Sequence, residues 1–138
     1  MRKKVTVAVS GMGGYGTHYV NAILNQSEEF GMECVGMIST HPEKYADSEE
    51  FKSRNIPIYR SIEELYDHVV PELLFISTPI HLHCPQACYA LERGSNVLCE
   101  KPTSATLADA KKMLKKSKET GKFVAIGYQE VFIRGCLR

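Results

Sequence analysis

The sequence predicts an α/β fold, a doubly wound parallel sheet in three layers (α/β/α), and three observations predict it. Short β-branched or apolar runs alternate with stretches of helical periodicity along the whole chain. The alternation recurs every 20 to 30 residues or so, the pattern of a parallel sheet covered on both faces. A glycine-rich turn separates the first such run from the first helix.

The elements follow in order. Val5 to Val9 is a β-branched run that reads as a buried strand, and Gly14 to Gln26 carries Val20, Ile23 and Leu24 at helical spacing. Glu33 to Ser39 is a second strand, and Ala46 to Arg54 a short polar helix. Ile56 to Tyr59 is a brief strand, where Pro57 indicates an edge or entry position. Ser61-Ile62-Glu63-Glu64 has capping-box spacing and starts a helix with Leu65 on its inner face. Glu72 to Ser77 is a strand around Leu73-Leu74-Phe75-Ile76, and Pro85 to Arg93 a helix closed by Gly94. Asn96 to Cys99 is a strand, Thr106 to Thr120 a helix capped by Thr106 and ended by Gly121, and Phe123 to Gly127 the last strand. No internal repeat or low-complexity linker divides the chain, so residues 1–130 read as one domain.

Composition narrows the function. The 138 residues carry 17 basic and 16 acidic side chains, a net charge of +1 that argues against a polyanion binder. The hydrophobic share of 43% fits a folded globular chain, and no apolar run approaches the length of a membrane helix. The start, basic then apolar, faintly resembles an export signal, but its apolar part is short and glycines stand where cleavage would fall. Five cysteines at wide, irregular spacing favour reduced thiols in a cytoplasmic protein over a disulfide framework.

Gly11-Met12-Gly13-Gly14-Tyr15-Gly16 fits G-x-G-x-x-G between a strand and a helix, the context of dinucleotide binding. Gly11 permits the tight turn, Gly13 lets the backbone approach a diphosphate, and Gly16 lets the helix press on the strand. The unpaired N–H groups at the helix start then face the phosphates. The plainer reading is a glycine-rich turn with no ligand.

An Asp or Glu at the end of the second strand would bind the adenosine ribose hydroxyls. Ser39-Thr40-His41-Pro42 stands there instead, 23 residues after Gly16, with no carboxylate. A missing negative charge removes the repulsion against a 2′-phosphate, and Ser39, Thr40, His41 and Lys44 offer hydrogen bonds to one. NADP(H) is therefore preferred, with NAD(H) as the alternative; if these residues merely form a turn, the choice is open.

Three further clusters end later strands: Ser77-Thr78-Pro79-Ile80-His81-Leu82-His83, Cys99-Glu100-Lys101-Pro102 and Gly127-Tyr128-Gln129. With the glycine turn, the Glu-Lys-Pro tripeptide and the Thr-Pro-x-x-x-His segment resemble the Gfo/Idh/MocA (glucose–fructose oxidoreductase/inositol dehydrogenase) family over Lys3 to Phe132. The resemblance implies a Rossmann dinucleotide-binding domain of an NAD(P)-dependent oxidoreductase acting on a hydroxyl or carbonyl substrate such as a sugar or polyol. It implies that Thr78, Pro79 and His83 lie along the nicotinamide half of the cofactor, that Glu100 contacts it nearby, and that Gln129 belongs to the same site. Lys101 is implied as the catalytic group, pointing toward substrate and nicotinamide, with a Lys101-Pro102 bond that is often cis in the family. An amine there makes chemical sense, since oxidising an alcohol removes a proton from oxygen as hydride leaves carbon. Burial or a neighbouring cation would lower its pKa for that task.

Two departures stand out. Val131 stands before the aromatic Phe132 where family members often carry a basic residue, and the family continues into a second, α+β domain. Residues 131–138 thus read as the start of a connection to a domain absent from this chain, loosely held, and the chain alone as inactive. Family assembly runs through that domain, so the resemblance also implies a homo-oligomer, and an apolar patch and self-association in its absence.

Rival readings rank lower. His81, His83, Cys84 and Cys88 suit zinc in kind but not in spacing, so no metal site is assigned. Lys111, Lys112, Lys115, Lys116, Lys118 and Lys122 crowd one segment opposite an expected buried stripe of Leu107, Ala110 and Leu114. No aromatics interleave with them for base stacking, so nucleic acid is not an expected partner. A non-catalytic dinucleotide sensor uses the same fold but has no need of Lys101 as an acid–base group.

Overall fold

The computed structural model describes residues 3–129. Its elements are β1 (Val5–Ser10), α1 (Gly16–Gln26), β2 (Met32–Ile38), α2 (Glu49–Ser53), β3 (Ile58–Tyr59), α3 (Ile62–His68), β4 (Leu73–Ile76), α4 (His83–Glu92), β5 (Asn96–Glu100), α5 (Leu107–Thr120) and β6 (Val124–Gly127). Single 3₁₀ turns precede α2, at Pro42–Lys44, and α4, at Ile80–Leu82. All six strands are parallel, in the order β3-β2-β1-β4-β5-β6. The order reverses between β1 and β4, which opens a crevice beyond their carboxyl ends.

Two cores explain why the strands read as apolar runs. On one face Val7, Val9, Met37 and Phe75 pack with Val20, Ile23 and Leu24 of α1 and Phe51 of α2. On the other, Ala8, Leu74, Ile76, Val97 and Cys99 pack with Leu65 and Tyr66 of α3, Ala87 and Leu91 of α4 and Met113 of α5. Alternate residues of β1 thus enter opposite cores, and a strand buried on both faces shows no polar alternation.

The caps form as the sequence foretells. Ser61 accepts from the Glu64 amide at 3.2 Å and Thr106 from the Asp109 amide at 3.1 Å. Gly94 and Gly121 take positive φ after α4 and α5. Three expectations need correction. The polar helix is shorter than 46–54, and β3 begins only after Pro57, at the sheet's edge, because proline has no amide for the ladder. The stripe expected on α5 is also rotated. Leu107 and Leu114 are exposed, and the buried side chain is Met113, because α5 lies against α4 as well as β6. Lys116 turns inward with that face, to Glu92 of α4 at 2.7 Å and Glu119 at 3.1 Å, while Lys111, Lys112, Lys115 and Lys118 face solvent. The segment from Glu130 to Arg138, with Val131-Phe132, lies outside the described residues.

Burial also sets the alkaline limit of stability. Burial pushes the Cys99 thiol and the Tyr66 phenol up to about 12 and the Cys34 thiol up to about 11. In the unfolded chain these groups ionise near their ordinary values of 9.0 and 10.0. The fold holds their protons, so this stabilisation is complete below pH 9 or so and is lost as pH rises toward 12. The urea midpoint should therefore fall between pH 8 and pH 11. A midpoint that stays level would contradict the assignment.

Candidate active site

The site is built from the ends of β1, β2, β4, β5 and β6. Beyond Ser10 the chain turns at Gly11, whose φ of +90° disfavours a side chain and whose absent Cβ would stand 2.5 Å from Ser77 O. A Cβ on Gly16 would stand 1.9 Å from Gly11 O, so the first turn of α1 can sit against the loop only as glycine. Gly13 differs, for nothing lies within 4 Å of where its Cβ would point. Its glycine is not demanded by the protein's own packing.

The amides of the turn are open. Gly11 donates to Ile38 O and Gly16 to Gly13 O, but Met12, Gly13, Gly14 and Tyr15 make no main-chain bond as donors among the described residues. No side chain caps α1. A diphosphate fits this cradle, with open N–H groups at a helix start and clear space over Gly13.

Two cavities meet at the turn. One of about 650 Å³ is lined by Met12, Gly13, Ser39, Thr40, His41, Thr78 and Pro79 and, beyond expectation, by Arg60, Gln86 and Tyr89. The other, about 540 Å³, joins Gly11, Gly13, Gly14 and Tyr15 to Thr78, Pro79, His83, Glu100 and Lys101. The sequence-predicted residues other than Gly16 and Gln129 are thus brought together in two adjoining compartments. Gln129 lines neither cavity, but its amide donates to the hydroxyl of Tyr15, which lines the second.

Within the second compartment the side chains divide their tasks. His83 is buried, with Nδ1 2.9 Å from Pro102 O and Nε2 2.9 Å from Thr78 O. The ring stands between the Thr-Pro segment and the turn after Lys101, with a carbonyl oxygen facing each nitrogen. Glu100 is buried too. One carboxylate oxygen accepts from the Tyr19 hydroxyl and the other from the Lys101 amide at 3.1 Å. Burial and the Glu100 carboxylate raise the Tyr19 phenol well above its ordinary value, so it stays a donor. Glu100 therefore anchors the main chain that presents Lys101. The Lys101-Pro102 bond is cis, as the resemblance implies, and the Lys101 side chain is exposed at the cavity's mouth. The burial expected around that side chain is not supplied by residues 3–129.

Tyr19, Gln86 and Arg60 escape sequence reading. Tyr19 sits on α1, stacked on Phe75, and only the fold carries it to Glu100, 81 positions away. Gln86 accepts from Ser10 Oγ at 2.9 Å and Thr78 Oγ1 at 3.2 Å, joining the two strand ends at the crevice.

Gly127 completes this anchor, because a Cβ there would stand 2.7 Å from Glu100 Oε1. Gly127→Ala should cost about 1–3 kcal/mol by overpacking. Tyr19→Phe should cost a similar amount, about 1–3 kcal/mol, by leaving a buried carboxylate oxygen unpaired. Both act on one carboxylate, so the double variant should lose less than the sum in urea denaturation. Strict additivity would sever the link.

Among the described residues no group of three or more His, Cys, Asp or Glu is placed to hold a metal ion. Cys84 and Cys88 are buried on α4, whereas His81 is exposed. No helix among those residues is long and apolar enough to cross a membrane.

The sequence model of an oxidoreductase family with an NAD-binding Rossmann fold matches residues 5–128. The chain belongs to the Gfo/Idh/MocA family. Among Gfo/Idh/MocA relatives, a 1,5-anhydro-D-fructose reductase of Ensifer adhaerens is 36% identical over 93 residues, 66% of this chain and 27% of its own length. A D-xylose 1-dehydrogenase (NADP(+)) of Hypocrea jecorina is 30% identical over 75% of this chain and 27% of its own. The WlbA dehydrogenase of Bordetella pertussis, solved with NADH and UDP-GlcNAcA, superposes with a TM-score of 0.84 at 22% identity, over 97% of this chain and 40% of that one. That likeness concerns the fold alone. The chain spans well under half the length of each of these Gfo/Idh/MocA relatives. What it contains is the family's NAD(P)-binding domain, the Rossmann half.

Proposed function

We propose that this chain holds the dinucleotide of an oxidoreductase that moves hydride between NADP(H), in preference to NAD(H), and a hydroxyl or carbonyl substrate of the sugar or polyol class. The observation that carries the proposal is the compartment in which the open amides around Gly13 face the same space as Lys101 and Glu100. When bound, the nicotinamide supplies the hydride acceptor or donor. Lys101 holds the substrate oxygen and exchanges a proton with it as the C–H bond breaks or forms. Glu100 and Tyr19 keep the Lys101 main chain in place, and His83 does the same for Thr78 and Pro79.

The preference for NADP(H) is supported by the absence of any Asp or Glu from Ser39 to Pro42 and by the dehydrogenase relative named for NADP(+). Residues 131–138 belong in this reading to the connection toward a second domain that forms most of the substrate pocket. Self-association is part of the proposal and is supported by exposed Leu107, Leu114 and Phe123. A cytoplasmic setting is supported by the free thiols of Cys34, Cys84, Cys88 and Cys99.

Fluorescence titration of the chain with NADPH and NADH tests the proposal. Binding of both, tighter for NADPH, is the expected result. Tighter NADH binding would overturn the cofactor preference, and silence from both would overturn the site.

A further inference from the structure

The adenosine end of the larger cavity contains a cation that neither the glycine motif nor the residues after β2 disclose. β3 pairs with β2 with Ile38 opposite Tyr59, and the Ser39 amide donates to Tyr59 O at 2.9 Å. That register sets Arg60 beside Ser39, so the ends of two neighbouring strands open into one cavity with Ser39, Thr40, His41 and Lys44. The Arg60 amide donates to Glu64 Oε2 at 2.6 Å, which fixes the main chain from which the side chain springs. The Arg60 guanidinium forms no ion pair among the described residues, whose bridges are made by other groups.

The other basic groups are less suited to a phosphate. The His41 ring is taken up by Glu43, 3.1 Å away. Lys44 stands on an exposed 3₁₀ turn and offers a flexible point charge. Ser39 Oγ accepts from the His41 amide at 3.1 Å, which leaves its O–H free to donate toward the cavity. An arginine held by a strand end brings a planar fork that matches two phosphate oxygens at once. Three carboxylates oppose it, Glu63 in the cavity wall, Glu43 beside His41 and Glu64 at the Arg60 amide, so the cavity's charge alone does not decide the outcome.

We propose that Arg60, reaching across from the edge strand, is the specificity-determining residue that grips the 2′-phosphate of NADP(H), with the Ser39 hydroxyl as second donor. The inference rests on the dinucleotide reading above and adds to it the group that makes the choice.

The test is titration of the chain and its Arg60→Gln and Arg60→Lys variants with NADPH, NADH, 2′-AMP and 5′-AMP. Arg60→Gln should weaken NADPH and 2′-AMP about tenfold or more, the scale of one charge-assisted contact. NADH and 5′-AMP should stay within about twofold, which also shows the variant folded. Arg60→Lys should restore only part of the loss, since an ammonium cannot make the fork. Unchanged NADPH affinity in Arg60→Gln, with the parent chain still favouring NADPH, would overturn the role of Arg60 alone. Equal weakening of both dinucleotides would make Arg60 structural and overturn it too. A parent chain that favours NADH would remove the phosphate site and Arg60 together.

Discussion

Gly16→Ala should unfold the chain or cost it at least about 4 kcal/mol, in the exceptional tail of single substitutions. The added methyl would stand 1.9 Å from Gly11 O, a main-chain atom that no rotamer change can move. Relief requires α1 to lift from the loop, and that uncovers Val20, Ile23 and Leu24, which the core on that face of the sheet depends on. Gly13→Ala should do the opposite. Its methyl meets nothing within 4 Å, so the urea midpoint should hardly change. Dinucleotide affinity should fall at least tenfold, about 1.4 kcal/mol or more, because the methyl occupies the space of the diphosphate. Calorimetric titration beside urea denaturation separates the two. Gly13→Ala binding NADPH as tightly as the parent would mean the diphosphate lies elsewhere.

Lys101→Ala should abolish turnover while sparing the cofactor. In a chain extended to the length of its relatives, the expected loss in kcat is about 10²- to 10⁴-fold, the contribution of a positioned acid–base group. NADPH affinity should shift by no more than about twofold, since the main chain at Lys101 is held by Glu100 through its amide and not through the ammonium. Loss of affinity in step with turnover would make Lys101 a structural or cofactor-binding residue. Full turnover in its absence would leave the proton step to another group and overturn the role of Lys101.

Much of this was legible in the sequence because it is written locally. Strand and helix periods, the caps at Ser61 and Thr106 and the turn residues at Gly11, Gly94 and Gly121 each depend on neighbours within a few positions. The clusters at Thr78, Glu100 and Gln129 were legible for a related reason. In a parallel sheet every strand delivers its carboxyl end to the same side, so residues after successive strands must meet. The α5 stripe was misread because Leu107 and Leu114 compete with Met113, about 100° around the helix from Leu114, and only the approach of α4 selects between the two faces.

By itself, then, the sequence determined the doubly wound sheet, the glycine cradle and the meeting of Lys101 with the Thr-Pro segment, all consequences of local pattern and parallel topology. The tertiary structure alone decided that Tyr19 holds Glu100, that His83 stands between the Thr78 and Pro102 carbonyls, and that Arg60 stands beside Ser39. Such pairings join positions far apart in the chain. They depend on helix rotation and strand register, which no periodicity in a single sequence records.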